Sequence, residues 1–157
     1  MRRTAEGSAR TVFGHPTGLF TLFFAEMWER FSFYGMRALL VFYMIKGFLG
    51  YGDSDAYTVY GAYTALVYMT PFFGGLLADK LLGARKAVIL GGTFMALGHL
   101  LMSVENEFAF FTALALLIVG NGFFKPNIST MVGSLYAPGS PRRDGGFIIF
   151  YMGINLG

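Results

Sequence analysis

Four ionisable side chains, Glu26, Glu29, Arg30 and Arg37, stand inside the otherwise apolar run between Pro16 and Lys46. As a helix rising ~1.5 Å per residue, that run outspans a bilayer core of roughly 30 Å, which puts all four at membrane depth. A 3.6-residue period gathers Glu26, Glu29, Arg30, Phe33, Tyr34 and Arg37 on one face and leaves the other to Leu22, Ala25, Leu39, Leu40 and Phe42. A charge at the bilayer centre costs on the order of 2.5 to 3.5 kcal/mol, so the charged face must meet protein, water or a ligand. A structural ion pair between helices is one use of such a face. A solute or proton pathway is the other, and the face holds more charge than a single pair requires.

Composition identifies the elements that must position these groups. The chain is 55% hydrophobic, 18% aromatic and 13% charged, where soluble domains average about 25% charged residues. Its long continuous apolar segments, without ten-residue alternation, indicate membrane helices rather than a barrel. The expected class is an all-α integral membrane protein. Cysteine is absent, which removes disulfides and thiolate metal sites. His15 and His99 lie far apart without a matching carboxylate spacing, so no metal site is expected. The net charge of +3 does not imply nucleic acid, because the basic residues sit mainly in loops between spans.

Residues 1–14, with Arg2, Arg3 and Arg10, read as a short cytoplasmic tail rather than a signal peptide. The transmembrane bundle occupies 15–157, with helices expected over 16–46, 56–78, 87–104, 108–133 and 145–157. Turn-forming residues separate them, among them Gly50, Gly52, Asp53 and Asp55. Lys125-Pro126 interrupts the fourth span, where the missing amide hydrogen should kink or break the helix. The tail, the turn at 79–86 and the loop at 138–144 hold Arg2, Arg3, Arg10, Lys80, Arg85, Lys86, Arg142 and Arg143. The intervening loops hold Asp53, Asp55, Glu105 and Glu107. By the positive-inside rule the amino terminus is cytoplasmic. The last segment, only ~20 Å as a helix, is too short to cross, so four complete spans and a truncated fifth of a longer chain are expected.

Other polar residues at membrane depth are Tyr60, Tyr63, Tyr68, His99, Asn121, Lys125, Asn127 and Asn155. Lys125 carries the most weight, since the bend beside Pro126 gives it a direction other than lipid, toward the glutamates of the first span if those helices are neighbours. Gly74, Gly75, Gly91, Gly92, Gly98, Gly120 and Gly122 read as close helix contacts. Asn127-Ile128-Ser129 fits a glycosylation pattern in a placement that argues against its use.

Glu26-x-x-Glu29-Arg30-Phe31-x-Phe33-Tyr34-Gly35 resembles the first-helix signature of proton-dependent oligopeptide transporters, a branch of the major facilitator superfamily. Gly74-Gly75-Leu76-Leu77-Ala78-Asp79, with Gly83, Ala87-Val88, Gly92, Phe94 and Gly98, is similar to the family's longer signature over the second and third helices. Phe150-Tyr151-Met152-Gly153-Ile154-Asn155-Leu156-Gly157 resembles its fifth-helix signature, cut off at the end.

The resemblance implies the N-terminal part of a transporter of two six-helix bundles that imports di- and tripeptides with protons by alternating access, without cofactor, in the cell membrane. Carried onto matching positions, Glu26 and Glu29 are proton-responsive carboxylates, with Arg30 and Lys125 joined to that coupling. Arg30, Arg37 and Lys125 offer donors to the peptide carboxylate, Tyr34 and Tyr68 hydrogen-bond the substrate, and Asn155 lines the same cavity. The partners implied are peptide, protons, membrane lipid and the C-terminal bundle. Phe33 replaces a tyrosine usual in the family, and Gly61 stands where animal members carry a histidine. The alternatives are a family member carrying nitrate or another small anion, and a non-transporting membrane subunit if the chain is naturally this short. No arrangement suited to hydrolysis is evident, so no enzyme is expected.

Overall fold

The computed structural model describes residues 10–157, so most of the tail expected over 1–14 lies outside the described residues. A two-stranded antiparallel hairpin comes first, β1 (Thr11–Val12) paired with β2 (His15–Pro16). Five helices follow, α1 (Thr17–Lys46), α2 (Asp53–Leu77), α3 (Ala84–Leu101), α4 (Glu107–Ser134) and α5 (Arg143–Leu156). The helical class follows from the apolar runs, which satisfy their backbone groups internally. The hairpin is an addition to the all-α expectation. Its two-residue connection, Phe13-Gly14, has positive φ at both positions, 51° and 78°, as a tight hairpin turn requires.

Among the described residues, two helical stretches are long and apolar enough to cross a membrane, Asp53–Leu82 and Glu107–Ser134. The charges of α1 set it apart from these two, and its buried positions show how they are accommodated. Leu19, Leu22, Glu26, Glu29, Arg30, Phe33, Leu40 and Met44 are all buried, while Phe24, Trp28, Phe31, Leu39 and Phe42 are exposed. Leu22 and Leu40 therefore lie with the charged residues and not opposite them. The reason is helical spacing, since Leu22 precedes Glu26 by one turn and Leu40 follows Phe33 by two.

The chain divides into two compact units, one formed by residues up to Gly35 together with Ile128–Gly157, the other by Met36–Asn127. In the first, the hairpin is tied to the segment between α4 and α5. His15 Nδ1 and the Tyr136 hydroxyl lie 2.8 Å apart, and Arg142 donates to the Gly14 carbonyl at 3.0 Å. Gly146 permits the Tyr136 ring to lie against α5, and Gly153 brings that helix onto Phe23 of α1. Ile128, Val132 and Phe150 complete this core.

In the second unit, glycine sets how closely α2, α3 and α4 approach. A Cβ on Gly91 would lie 2.6 Å from the Gly120 carbonyl oxygen, and one on Gly98 3.0 Å from that of Ala113. A Cβ on Gly74 would fall on the carbonyl of Gly122. Gly122 is the residue whose carbonyl Pro126 cannot engage, four positions on. Helix α4 nonetheless runs through Pro126 to Ser134, so of the kink or break expected there the break does not occur. Gly74 lets the freed carbonyl face a neighbouring backbone, where a Cα–H contact partly replaces the lost bond. Thr70 adds a hydrogen bond from α2 to the Ile118 carbonyl of α4, at 3.1 Å. Beyond Leu77 the chain widens into a π-helical turn, Ala78–Leu82, closed by Gly83 N–H on the Ala78 carbonyl at 2.8 Å. Gly83 then ends it at φ 76° and ψ 151°, a region open essentially to glycine alone.

The loop after α1 is fastened to the start of α4 by Tyr51, whose hydroxyl donates to Glu107 Oε1 at 2.5 Å. That bond first, and burial second, pushes the phenol up to about 12, against about 10 for a free tyrosine. A raised folded-state value means the contact is fully present below pH ~10 and is lost as pH rises through the folded value. Ultraviolet titration of the purified protein is expected to show a late-ionising phenol near pH 12 that disappears in Tyr51→Phe; an unchanged curve would show that Glu107 does not hold it. For the helix contacts, Gly91→Val is expected to lower stability in detergent by about 1–3 kcal/mol through overpacking. Gly61→Ala, where nothing lies within 4 Å, is expected to cost nothing in the same thermal melt.

Candidate functional site

The carboxylates and the guanidinium of α1 come together in the first unit. Glu26, Glu29 and Arg30 are only 3%, 8% and 4% exposed. Arg30 Nε lies 3.3 Å from Glu26 Oε1, one helical turn away, and Arg30 Nη2 lies 2.5 Å from Glu29 Oε2. Removing such ions from water costs several kcal/mol each, which only close opposite charge and hydrogen bonding return. The short bridge from Arg30 Nε to Glu29, also 2.5 Å, is part of that return.

Phe33 lies one turn further along, and the Arg30 Cζ sits 5.7 Å from its ring centroid. A buried aromatic face under a guanidinium is an attractive cation–π contact. Phe33 thus holds Arg30 by its ring. The neighbouring Tyr34 meets Phe33 edge-on at 5.4 Å and is otherwise exposed. Gly157 permits the end of the chain to lie against the Met27 carbonyl and Arg30 Cβ. Asn155 donates to the Tyr151 carbonyl of its own helix at 2.9 Å and is exposed.

A second set of cations and phenols gathers in the other unit. Arg37 Nε donates to the Tyr60 hydroxyl at 2.6 Å, and Arg37 Cζ lies 5.8 Å from the Tyr60 ring centroid. Lys125 Nζ lies 5.5 Å from the ring centroid of Tyr68. Arg37 and Lys125 are half-buried and Tyr68 is exposed. Tyr60 is absent from the residues singled out as binding groups in the sequence, where it was only one polar residue among several at membrane depth. Its pairing with Arg37 depends on how α1 and α2 meet, for which the sequence holds no signal.

In the buried triad two carboxylates share one guanidinium. Replacing Arg30 by Met is expected to lower stability at pH 8 by about 3–5 kcal/mol, the effect of stranding a buried charge. Thermal melts at pH 5 are expected to recover much of that loss, because protonation removes the stranded charge. An equal loss at both pH values would contradict the assignment.

A family model described as the POT family matches residues 85–157. An uncharacterized transporter, YclF, of Bacillus subtilis (strain 168) is 50% identical over 150 residues, covering 92% of this chain and 30% of its own length. A di-/tripeptide transporter of Lactococcus lactis subsp. lactis (strain IL1403) is 47% identical over 155 residues, covering 94% of this chain and 31% of its own. The chain thus spans about 30% of the length of the curated relatives it matches. Among solved structures, a peptide transporter POT in complex with sulfate superposes with a TM-score of 0.89 at 51% identity, over 94% of this chain and 31% of that one. Its helices thus follow those of a POT transporter, with half its residues identical across nine-tenths of its length, and the chain is similar to POT-family membrane transporters.

Proposed function

We propose that this chain forms most of the N-terminal bundle of a transporter that imports di- and tripeptides together with protons. Four complete spans and part of a fifth make up this portion, the amino terminus lies in the cytoplasm, and the membrane is that of the cell. The observation that carries the reading is the burial of Glu26, Glu29 and Arg30 within ion-pair distance on one transmembrane helix. The similarity to a di-/tripeptide transporter supports the substrate class.

Glu26 and Glu29 with Arg30 carry one net negative charge when all three are ionised. One proton neutralises the group, so its charge state is poised to follow any third ion that approaches. A peptide carboxylate that engages Arg30 weakens the guanidinium's hold on the glutamates and favours proton uptake by one of them. Binding and protonation are then linked reciprocally. Arg37 and Lys125 offer further cationic donors to the same carboxylate, with Lys125 also joined to the proton coupling. Tyr34, Tyr68 and Asn155 supply neutral hydrogen bonds to the peptide, and the C-terminal bundle completes the cavity. No covalent step is involved, in keeping with transport rather than enzymatic chemistry.

A second reading has support from the relative in complex with sulfate. A cationic face that takes a carboxylate also takes nitrate or another small anion, and competition between dipeptide and nitrate for uptake separates the two. In proteoliposomes holding the full-length product, Glu29→Gln is expected to abolish proton-driven accumulation of a dipeptide and to retain counterflow exchange. Undiminished driven accumulation would remove Glu29 from the coupling.

A further inference from the structure

We infer that Tyr60 is a positioning residue that fixes which edge of the Arg37 guanidinium meets the substrate, an inference that rests on the peptide reading above. A guanidinium presents a carboxylate with two kinds of bidentate edge, one formed by Nε and an Nη, the other by the two Nη groups. Arg37 has its Nε–H already committed, donating to the Tyr60 hydroxyl at 2.6 Å. The Tyr60 ring meets the same guanidinium, with Cζ 5.8 Å from its centroid. Tyr60 thus holds Arg37 by a directional bond and by ring contact together. With Nε–H committed, a bidentate contact with an anionic ligand has to use the two Nη groups.

Among the described residues, the salt bridges to arginine all belong to Arg30, and the side-chain hydrogen bond of Arg37 goes to a phenol and not to a carboxylate. That difference has a chemical consequence. A carboxylate partner would compete with an incoming carboxylate for the guanidinium, whereas a neutral phenol orients the cation and leaves its charge available. Tyr68, two turns further along α2, meets Lys125 Nζ at 5.5 Å from its ring centroid. Tyr60 and Tyr68 lie ~12 Å apart along α2 by helical rise. On α2, Tyr60 thus serves Arg37 and Tyr68 serves Lys125. Tyr60 is half-buried, suited to anchoring, while Tyr68 is exposed.

The test compares a dipeptide with its C-terminal amide in the full-length transporter, since only the former offers a carboxylate to Arg37. Wild type is expected to prefer the free dipeptide. Tyr60→Phe keeps the ring and removes the hydroxyl. It is expected to raise KM for the dipeptide by roughly tenfold, the effect of losing one charge-assisted hydrogen bond. KM for the amide and kcat for both substrates should stay near wild type, so the preference collapses. A general packing defect would instead shift both substrates together. Arg37→Ala should lose the same preference, and adding Tyr60→Phe to it should change nothing further. A Tyr60→Phe transporter that keeps the wild-type ratio of the two KM values, or a double variant whose losses add, overturns the inference and leaves the peptide reading intact. A wild type indifferent to the carboxylate overturns both.

Discussion

An arginine bound to two glutamates inside a membrane helix is the constraint around which the rest of the chain is arranged. Charges at that depth persist only where neighbouring groups replace the water they have lost. Helix α1 achieves this by concentrating Glu26, Glu29 and Arg30 on its buried side, with Phe33 beneath the guanidinium. The same side holds Leu19 and Leu22 toward one end and Leu40 and Met44 toward the other. Apolar packing therefore brackets the ions along the helix axis. The bracket restricts water at the very groups whose protonation state is proposed to change during transport.

Holding such a helix in place requires its neighbours to approach closely, and in lipid there is little hydrophobic force to bring them together. Glycine supplies the approach instead. In the unit that carries Arg37, Gly91 faces the Gly120 carbonyl and Gly74 faces that of Gly122. In the unit that carries Arg30, Gly153 faces Phe23 and Gly146 faces Tyr136. Each contact sets backbones at a separation that a single methyl group would change. Pro126 uses one of these contacts, because Gly74 lies where the freed Gly122 carbonyl needs a neighbour. Lys125 is thereby placed on a continuous α4 rather than on a broken one.

Much of the architecture was legible in the chain itself. Apolar runs and sparse charge identified membrane helices, and the spacing of Glu26, Glu29 and Arg30 placed three ions within reach of one another. Four features were not legible, each for a physical reason. Leu22 and Leu40 were set opposite the charged face, although a one-turn spacing from Glu26 and a two-turn spacing from Phe33 align them with it. Pro126 was read from its local geometry, which ignores what a glycine on a facing helix can offer. The Phe13-Gly14 turn was overlooked because a bulky residue at positive φ runs against preference, and the hairpin's ties to Tyr136 and Arg142 offset that cost. Tyr60 belongs with these, since its partnership with Arg37 joins residues on different helices.

The central claim is that the buried triad converts arrival of a carboxylate into uptake of a proton. Its most direct measurement mixes a dipeptide with the purified full-length transporter in weakly buffered detergent solution and follows a pH-sensitive dye. The account expects net proton uptake on binding, abolished when Glu26 and Glu29 are both replaced by Gln. Dipeptide binding without proton uptake in the wild type, or uptake that survives in the double variant, would contradict it.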